Sequence, residues 1–365
     1  MKWIWIIISL ASTLTTYAQP LSIEPLRVGV VGLVHTHVHW ILGREDRGDI
    51  EIVGIVEPNR ELAQRYANQH GYSMDLVYDD LETMLDETQP EAVTAFNTIY
   101  DHLSVVETCA PRGIHVMVEK PLAVSLDHAE QMAKLARQYN IHLLTNYETT
   151  WYGSNHEAYR LVHEENAISD LRKIVVHNGH PGPKEIGVNQ EFLEWLTNPK
   201  WNGAGALTDF GCYGANLITW LMQGERPTSV TAITQQIKPN IYPKVDDEAT
   251  IIVTYPKTQG IIQASWNWPI SRKDMEVYGQ TGYVHTVNAL DMRIRLGEKE
   301  QEKSTKAEER KNPYDDPFAY LAGVVRGTID VKPTDLSALE NNLIVMEILD
   351  AAIQSAKNGK TVELE

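Results

Sequence analysis

The first 146 residues alternate short apolar runs with helix-like stretches, and this alternation constrains the fold more than any other feature. Residues 27–32 form a largely apolar run that ends in glycine, and residues 51–57 form a second run that ends in Glu57. Apolar runs of this length are typical of parallel strands that are buried on both faces. Three more runs follow, at residues 92–96, 114–118 and 141–144. Strands that alternate with helices predict a Rossmann-type parallel sheet over residues 27–146.

The pattern changes after Asn146. Strand-like segments now follow one another through turns and loops instead of regular helices, which favours antiparallel pairing. These segments are residues 171–177, 230–236, 249–255, 260–266 and 275–279. The sequence therefore predicts a second, α+β domain over residues 147–365 with a largely antiparallel, open sheet. The fold class of the whole chain is α/β.

The N-terminus has the pattern of a secretory signal peptide. Lys2 precedes a short apolar block at residues 3–11, and Thr16 and Ala18 stand at the small-residue positions before a cleavage point. The block is too short to span a bilayer, and a buried N-terminal strand or helix is the alternative. Residues 1–18 are therefore predicted to be a Sec signal, which implies an exported protein, periplasmic or secreted. No later segment predicts a membrane span.

Charge and cysteine content restrict the partners. The formal net charge is −17 at pH 7, and an acidic surface repels phosphate backbones, so nucleic acid is not an expected partner. Cys109 and Cys212 are the two cysteines of the sequence, which leaves no disulfide framework and no zinc-knuckle spacing. They can pair in an oxidising compartment, but two buried free thiols are the simpler interpretation.

Two motifs stand out in the middle of the sequence. Glu119-Lys120-Pro121 follows a predicted strand of the first half, and residues 205–213 hold Asp209 and Tyr213 four positions apart. In this order they resemble the motifs of the glucose–fructose oxidoreductase / inositol dehydrogenase / MocA (Gfo/Idh/MocA) family, and the resemblance extends over most of residues 27–365. It implies a two-domain, NAD-linked oxidoreductase acting on sugars, and it makes a homo-oligomer an expectation.

The resemblance assigns catalytic roles to Lys120, Asp209 and Tyr213. A lysine whose pKa is lowered by burial in a cleft can polarise or deprotonate a sugar hydroxyl. Asp209 and Tyr213 face the same way on one helical turn, so Asp209 can orient a hydroxyl or the lysine, and Tyr213 can relay the proton. Replacement of Lys120 by alanine is expected to abolish turnover with little change in melting temperature.

The predicted dinucleotide turn departs from the family pattern. A Gly-x-Gly-x-x-Gly segment is expected after the first strand, but Gly32, Val34 and His37 stand at the three glycine positions. The second glycine normally lets the backbone approach a pyrophosphate, and the third lets the helix pack closely on the strand. Glu57 still ends the second strand, where a carboxylate binds the ribose of NAD. The expected NAD-binding residues are Gly32, Val34, His35, His37, Glu57, Asn97, Glu119 and Lys120.

The same turn offers a divalent metal as an alternative to NAD. In an extended chain the spacing of His35, His37 and His39 places three imidazoles on one face, where they can bind a metal. In a helix only His35 and His39 share a face. The other interpretation is that these histidines fill the space left by the pyrophosphate or bind a substrate.

The expected substrate-contacting residues are Tyr147, His180 and Trp201, because aromatic faces stack on sugar rings. Packing in the core is the alternative for each of them. The combined prediction is an exported, NAD-linked oxidoreductase that acts on a small carbohydrate or glycoside. A non-redox lyase, glycosidase or epimerase on the same fold, with or without a metal at the histidines, is the alternative. A binding protein without catalysis is a third hypothesis.

Overall fold

Residues 24–364 are described by the computed structural model, and they form two β-sheets with helices packed on their faces. The predicted signal peptide, residues 1–18, lies outside the described residues. Within the described part of the chain, no helix combines the length and the hydropathy needed to cross a bilayer.

The sheet of the N-terminal half contains six strands within the described residues. They are β1 (Leu26–Val31), β2 (Ile50–Val56), β3 (Val77–Tyr78), β4 (Ala92–Ala95), β5 (His115–Glu119) and β6 (Leu143–Asn146). Their order is β3-β2-β1-β4-β5-β6, and every neighbouring pair is parallel. The order reverses between β1 and β4, which is where sheets of this kind bind ligands. The predicted Rossmann-type parallel sheet is confirmed.

Helices connect these strands, and local signals in the sequence fix their ends. They are α1 (Val38–Leu42), α2 (Arg60–His70), α3 (Leu81–Thr88), α4 (His102–Cys109) and α5 (Leu126–Tyr139). The side chain of Asn59 caps α2 by accepting the Leu62 N–H, and Ser125 caps α5 in the same way. The first helix has no side-chain cap at His37 and is only five residues long.

The sheet of the C-terminal half contains nine strands within residues 24–364. They are β7 (Leu171–Gly179), β8 (Ser229–Gln235), β9 (Glu248–Thr254), β10 (Gln259–Ser265), β11 (Arg272–Gly279), β12 (Tyr283–Thr286), β13 (Asp291–Arg295), β14 (Lys303–Lys306) and β15 (Val362–Glu363). The order is β14-β13-β12-β11-β7-β10-β9-β8-β15. All described pairs are antiparallel except β7 with β10. The predicted, largely antiparallel second sheet is confirmed.

Six helices accompany this sheet among the described residues. They are α6 (Gly153–Tyr159), α7 (Gln190–Leu196), α8 (Pro199–Asn202), α9 (Ala206–Leu221), α10 (Pro317–Val325) and α11 (Leu339–Asn358). Every residue of α9 is buried, because the helix lies between the sheet and α11. Its first turn is held by Asp246, whose carboxylate accepts the backbone N–H groups of Gly205 and Leu207 at 2.8 and 2.7 Å.

One helix of the C-terminal half packs on the N-terminal sheet. Phe318 and Leu321 of α10 are buried in the same apolar cluster as Val28 and Val30 of β1. The Phe318 ring lies 6.5 Å from the ring of Phe96. The two halves therefore share a core, and the carboxyl ends of β1 and β5 are held against the start of α9.

Gly32 allows a close approach that the turn after β1 requires. Its φ is +78°, and an added Cβ would lie 2.7 Å from the backbone nitrogen of Asn97. Gly71, after α2, has a similar φ of +81° but open space around the Cβ position.

The two glycines give a matched pair of substitutions. Gly71→Ala is expected to lower the free energy of unfolding by roughly 1–2 kcal/mol, because alanine is strained at positive φ. Gly32→Ala is expected to cost about 1–3 kcal/mol more, because the methyl group also overlaps the Asn97 backbone. Urea denaturation of both variants measures the difference, and equal losses would contradict the close approach at Gly32.

Candidate active site

A cavity of about 770 Å³ lies between the two halves of the protein. Its floor is formed by the carboxyl ends of β1 and β5 and by the first turns of α9, and β11 and β12 form a wall. The sequence-predicted residues that line it are His35, His37, Lys120, His180, Asp209 and Tyr213. A concave site of this volume is suited to a small-molecule ligand.

Lys120 and Asp209 form a buried ion pair at the floor of the cavity. The Lys120 Nζ lies 2.5 Å from the Asp209 Oδ1 and also donates to the Asp209 carbonyl oxygen at 3.0 Å. Both side chains are 5% exposed. The second carboxylate oxygen accepts the indole N–H of Trp266 at 2.9 Å. A residue that follows β5 and a residue of α9 thus share one charge-assisted contact across the two halves.

The ion pair determines the protonation of both partners. Burial by itself lowers the pKa of Lys120, but the Asp209 carboxylate outweighs it, so the pKa lies above its ordinary value. Burial raises the pKa of Asp209, and Lys120 and His180 reverse this to a net lowering. A lysine with a lowered pKa was expected from the sequence. This expectation was wrong because the Asp209 carboxylate is in direct contact with the Lys120 ammonium group. In the free protein Lys120 carries a proton.

Tyr213 lies one helical turn after Asp209 on α9. Its ring centroid is 5.0 Å from the Lys120 Nζ and 5.1 Å from the Lys273 Nζ, within the range of cation–π attraction. Burial raises the pKa of Tyr213 well above its ordinary value, so the hydroxyl keeps its proton. The structure therefore brings Lys120, Asp209 and Tyr213 together, while the predicted proton relay through Tyr213 stays a prediction.

The turn after β1 is in contact with α7 of the other half. The indole N–H of Trp195 donates to the Val34 carbonyl oxygen at 3.3 Å. The rings of Phe192 and Trp195 lie 4.9 and 5.7 Å from the ring of His35. These contacts leave no gap between the turn and α7.

Glu57 is also enclosed at this edge of the sheet. It is 4% exposed, and its two carboxylate oxygens accept the backbone N–H groups of Leu33 and Asn59, both at 2.9 Å. Burial raises its pKa despite these two bonds. Arg65 at the nearby surface of α2 pairs with Glu191 of α7 at 3.0 Å, which helps to hold α7 over this region.

The expected NAD-binding residues divide between the cavity and the turn that α7 contacts. Of the eight expected NAD-binding residues, His35, His37 and Lys120 line the cavity, whereas Gly32, Val34, Glu57, Asn97 and Glu119 do not. Buried polar atoms without a partner in the described residues do remain here, at Asn97 Oδ1 and Thr36 Oγ1. The polar groups at this edge can serve a ligand, and α7 lies in contact with the turn beside them.

The predicted three-histidine metal site does not form. His39 lies on α1, where its Nδ1 is 2.8 Å from the Nε2 of His70, and its ring packs beside Tyr66. His35 and His37 instead converge with Glu119, with their ligand atoms within 4.8 Å of one another. The short helix α1 carries His39 away from the other two. Neither the extended nor the helical expectation is met, because the structure brings His35 together with His37 and not with His39.

Two of the three predicted substrate residues lie in the core. Tyr147 is fully buried, and its ring packs against Tyr213 at 5.5 Å without reaching the cavity. Trp201 on α8 packs against the main apolar cluster. The predictions for these two were wrong because an aromatic side chain beside a motif packs more often than it binds. His180 does line the cavity, and its ring lies 4.9 Å from the ring of Phe210.

A second set of charged residues lies on the cavity wall and was not predicted from the sequence. Lys273 pairs with Glu148, and Arg272 pairs with Asp274 at 2.6 Å. The polar residues that alternate along β11 are a signal for this wall, because every second side chain of a strand points to one face.

Cys109 and Cys212 are buried free thiols, and burial raises the pKa of both to about 12.

The comparisons with known proteins agree with this architecture. Residues 26–147 match the profile of the oxidoreductase family with the NAD-binding Rossmann fold, and residues 156–285 match the GFO/IDH/MocA C-terminal domain. Together these matches cover more than half of the chain. The chain therefore belongs to the Gfo/Idh/MocA oxidoreductase family, as the two sequence motifs indicated.

Similar curated proteins include trans-1,2-dihydrobenzene-1,2-diol dehydrogenases. The Xenopus tropicalis enzyme is 28% identical over 184 residues, which are 50% of this chain and 52% of that one. The Sus scrofa enzyme is 23% identical over 268 residues, 73% of this chain and 74% of that one. The match thus spans about half to three quarters of the length of these relatives.

Solved structures share the fold over nearly the whole chain. An aldose–aldose oxidoreductase from Caulobacter crescentus with glycerol has a TM-score of 0.75 at 21% identity, covering 93% of this chain and 100% of that one. An inositol dehydrogenase homologue from Azotobacter vinelandii with NAD+ has a TM-score of 0.78 at 15% identity, covering 94% and 98%. At these identities the likeness shows the fold.

The ion pair gives a testable coupling. Lys120→Met leaves the Asp209 carboxylate buried without its cation and is expected to lower the free energy of unfolding by about 3–5 kcal/mol. This replaces the expectation that loss of Lys120 leaves stability unchanged. The double variant Lys120→Met, Asp209→Asn removes both charges and is expected to recover most of the loss. Urea denaturation at pH 7 of Lys120→Met, Asp209→Asn and the double variant measures the coupling, and strictly additive losses would contradict the pairing.

Proposed function

We propose that the protein is an oxidoreductase acting on a hydroxyl-bearing carbon of a small, uncharged sugar, polyol or glycoside, with the Lys120–Asp209 pair controlling the hydroxyl proton. The observation that carries this proposal is the pair itself, which joins residues 89 positions apart at the floor of the cavity. Membership of the oxidoreductase family supports the redox class. The signal-like pattern of residues 1–18 supports action outside the cytoplasm, and a homo-oligomer is a further expectation from the family.

The charges of the cavity support an uncharged substrate. Lys120 faces Asp209, Lys273 faces Glu148, and Arg272 faces Asp274. Cations that are already paired offer little to a phosphate or carboxylate ligand, because the ligand would have to displace the protein carboxylate. Neutral hydroxyl groups can instead bond to the remaining lone pairs and N–H groups.

The chemistry of this chain's own residues begins at the Lys120 Nζ. A substrate oxygen beside it accepts a hydrogen bond from the ammonium group. In the direction of carbonyl reduction, Lys120 gives its proton to the oxygen as a general acid. In the direction of hydroxyl oxidation, Lys120 must first lose that proton and then accept the hydroxyl proton. Asp209 holds Lys120 in place, and the Tyr213 hydroxyl stays protonated beside it.

NAD is the hydride carrier that the family implies. Gly32 and Glu57 would hold NAD at the turn after β1, where α7 contacts Val34 and His35. The unpartnered polar atoms at Asn97 and Thr36 support a ligand at this edge.

A non-redox acid–base enzyme is the second candidate. The observation that favours it is the contact of Trp195 and Phe192 with the turn, which covers part of the segment where the family pattern expects a glycine-rich dinucleotide turn. A lyase, glycosidase or epimerase can use Lys120 and Asp209 for proton transfer without a nicotinamide.

Calorimetric titration with NAD+ and NADH separates the two candidates. If the dinucleotide displaces α7, Trp195→Ala is expected to strengthen binding, because it removes a bond that holds α7 on the turn. Glu57→Ala is expected to weaken binding, because it removes the carboxylate at the ribose position.

The matched control is Trp201→Ala on α8, a partly buried tryptophan that packs against the main apolar cluster and makes no hydrogen bond to the turn among the described residues. Absence of binding up to millimolar concentrations in wild-type and Trp195→Ala protein, both verified to carry no endogenous dinucleotide, would reject the NAD-linked proposal. Turnover of a glycoside by the same protein would then support the second candidate.

The pH dependence of oxidation tests the role of the ion pair. With a substrate identified from a panel of neutral sugars, polyols and glycosides, kcat/KM for oxidation is expected to rise with pH, because Lys120 must lose its proton and Asp209 raises its pKa. In Asp209→Asn burial acts without the opposing carboxylate, so the pKa of Lys120 falls and the rising limb moves to lower pH. A rising limb at the same pH in both proteins would exclude Lys120 as the titrating group.

A further inference from the structure

His35 carries its proton on Nε2. Its Nδ1 accepts the backbone N–H of His37 at 3.1 Å. A backbone amide is always a donor, so Nδ1 is the bare nitrogen of a neutral ring and the hydrogen is on Nε2. This side chain is 1% exposed and lines the cavity, and its Nε2 makes no hydrogen bond among residues 24–364, with the Glu119 Oε2 4.0 Å away. This buried N–H donor therefore has no hydrogen-bond acceptor among the described residues.

His37 has the opposite arrangement. Its Nδ1 lies 2.9 Å from the Glu119 Oε2. An ionised carboxylate can only accept, so Nδ1 carries the hydrogen and Nε2 is the bare nitrogen. The ring is held flat against Trp40, with centroids 3.8 Å apart. No described residue bonds to the His37 Nε2.

The Glu119 carboxylate is itself fixed. Its other oxygen accepts from the Asn146 amide at 2.7 Å, and the Asn146 carbonyl oxygen accepts the Trp151 indole N–H at 3.0 Å. Burial raises the pKa of Glu119, and the effects of His35, the bond from Asn146 and the charge of Lys120 reduce this rise without reversing it. The chain from Trp151 to His37 therefore orients one bare imidazole nitrogen at the cavity.

The two rings lie side by side at the cavity floor. Their centroids are 4.6 Å apart, with an interplanar angle of 65°. Burial lowers the pKa of His35 well below its ordinary value and that of His37 to about 3, so both rings are neutral at pH 7. One ring presents a donor and its neighbour presents an acceptor. A hydroxyl is the common group that can satisfy both, because its oxygen accepts while its hydrogen is donated.

We propose that His35 and His37 form a second hydroxyl-binding site beside the Lys120–Asp209 pair, in which a substrate hydroxyl accepts from the His35 Nε2–H and donates to the His37 Nε2. The proposal rests on the proposed function for its ligand class. The two sites together bind two hydroxyl groups of one neutral polyol or sugar. A ketone or carboxylate can use His35 but leaves the His37 nitrogen without a donor.

The same tautomers argue against a metal at these residues. A histidine that binds a metal through one ring nitrogen normally donates its other N–H to a protein acceptor. In His35 the other nitrogen faces a backbone donor, so a metal at Nε2 would require loss of that hydrogen bond or of the last ring proton. The hydroxyl-binding arrangement needs neither change.

NMR of histidine-labelled protein tests the arrangement directly. Long-range proton–nitrogen spectra at pH 7, assigned with His35→Phe and His37→Phe, are expected to show His35 as the Nε2–H tautomer and His37 as the Nδ1–H tautomer. Glycerol, as a simple polyol probe, is expected to shift the Nε2 resonances of both. Matching tautomers, a protonated ring, or a glycerol response confined to other residues would overturn the proposal.

Kinetics with the substrate from the panel give the second readout. His35→Phe and His37→Phe are each expected to raise KM roughly three- to tenfold with a smaller change in kcat, as loss of one neutral hydrogen bond implies. His35→Gln, which retains an N–H donor, is expected to restore part of the loss. The control His39→Phe alters a neighbouring histidine that bonds to His70, and its KM is expected to be unchanged.

The outcomes separate this proposal from the proposed function. Turnover of a hydroxyl substrate with unchanged KM in both variants would reject the second site and leave the Lys120–Asp209 chemistry in place. Absence of turnover on every neutral substrate, with no response of the two rings to glycerol, would reject the ligand class on which both proposals rest.

Discussion

A buried ion pair between Lys120 and Asp209 joins the two halves of the protein, and the arrangement of the cavity depends on it. Removing two charges from water is costly, and only direct contact with good hydrogen bonding offsets that cost. The end of β5 supplies the lysine and the first turn of α9 supplies the aspartate, which also takes the Trp266 indole N–H. The pair therefore requires β5, α9 and β10 to meet in one place, and it sets the protonation of the cavity floor.

The turn after β1 carries histidines in place of the expected glycine-rich segment. Where glycines would expose backbone N–H groups to a pyrophosphate, His35 and His37 fill space, bond to backbone and carboxylate, and support α7 through Phe192 and Trp195. Side chains of this turn therefore line the cavity. The same change places two oriented imidazoles beside Lys120.

Local patterns made much of the fold predictable. Apolar runs identified β1, β2, β4, β5 and β6, since burial on both faces leaves a clear trace in the sequence, and the caps at Asn59 and Ser125 fixed the helix starts. The motifs placed Lys120 and Asp209 in one site because the family resemblance supplied the long-range information. Contacts between segments that are distant in the sequence could not be predicted from local patterns. The packing of α10 on the first sheet, the cover of α7 over the turn and the rise in the pKa of Lys120 all depend on such contacts.

The most direct test of the account is the ionisation of Lys120 measured by NMR of lysine carbons and nitrogens labelled at the side-chain end. The account predicts that Lys120 stays protonated to a pH above the ordinary value for lysine in the wild-type protein, and that its pKa falls below that value in Asp209→Asn. A Lys120 that is neutral at pH 7 in the wild-type protein, or a pKa that does not respond to Asp209→Asn, would contradict the central role of the pair.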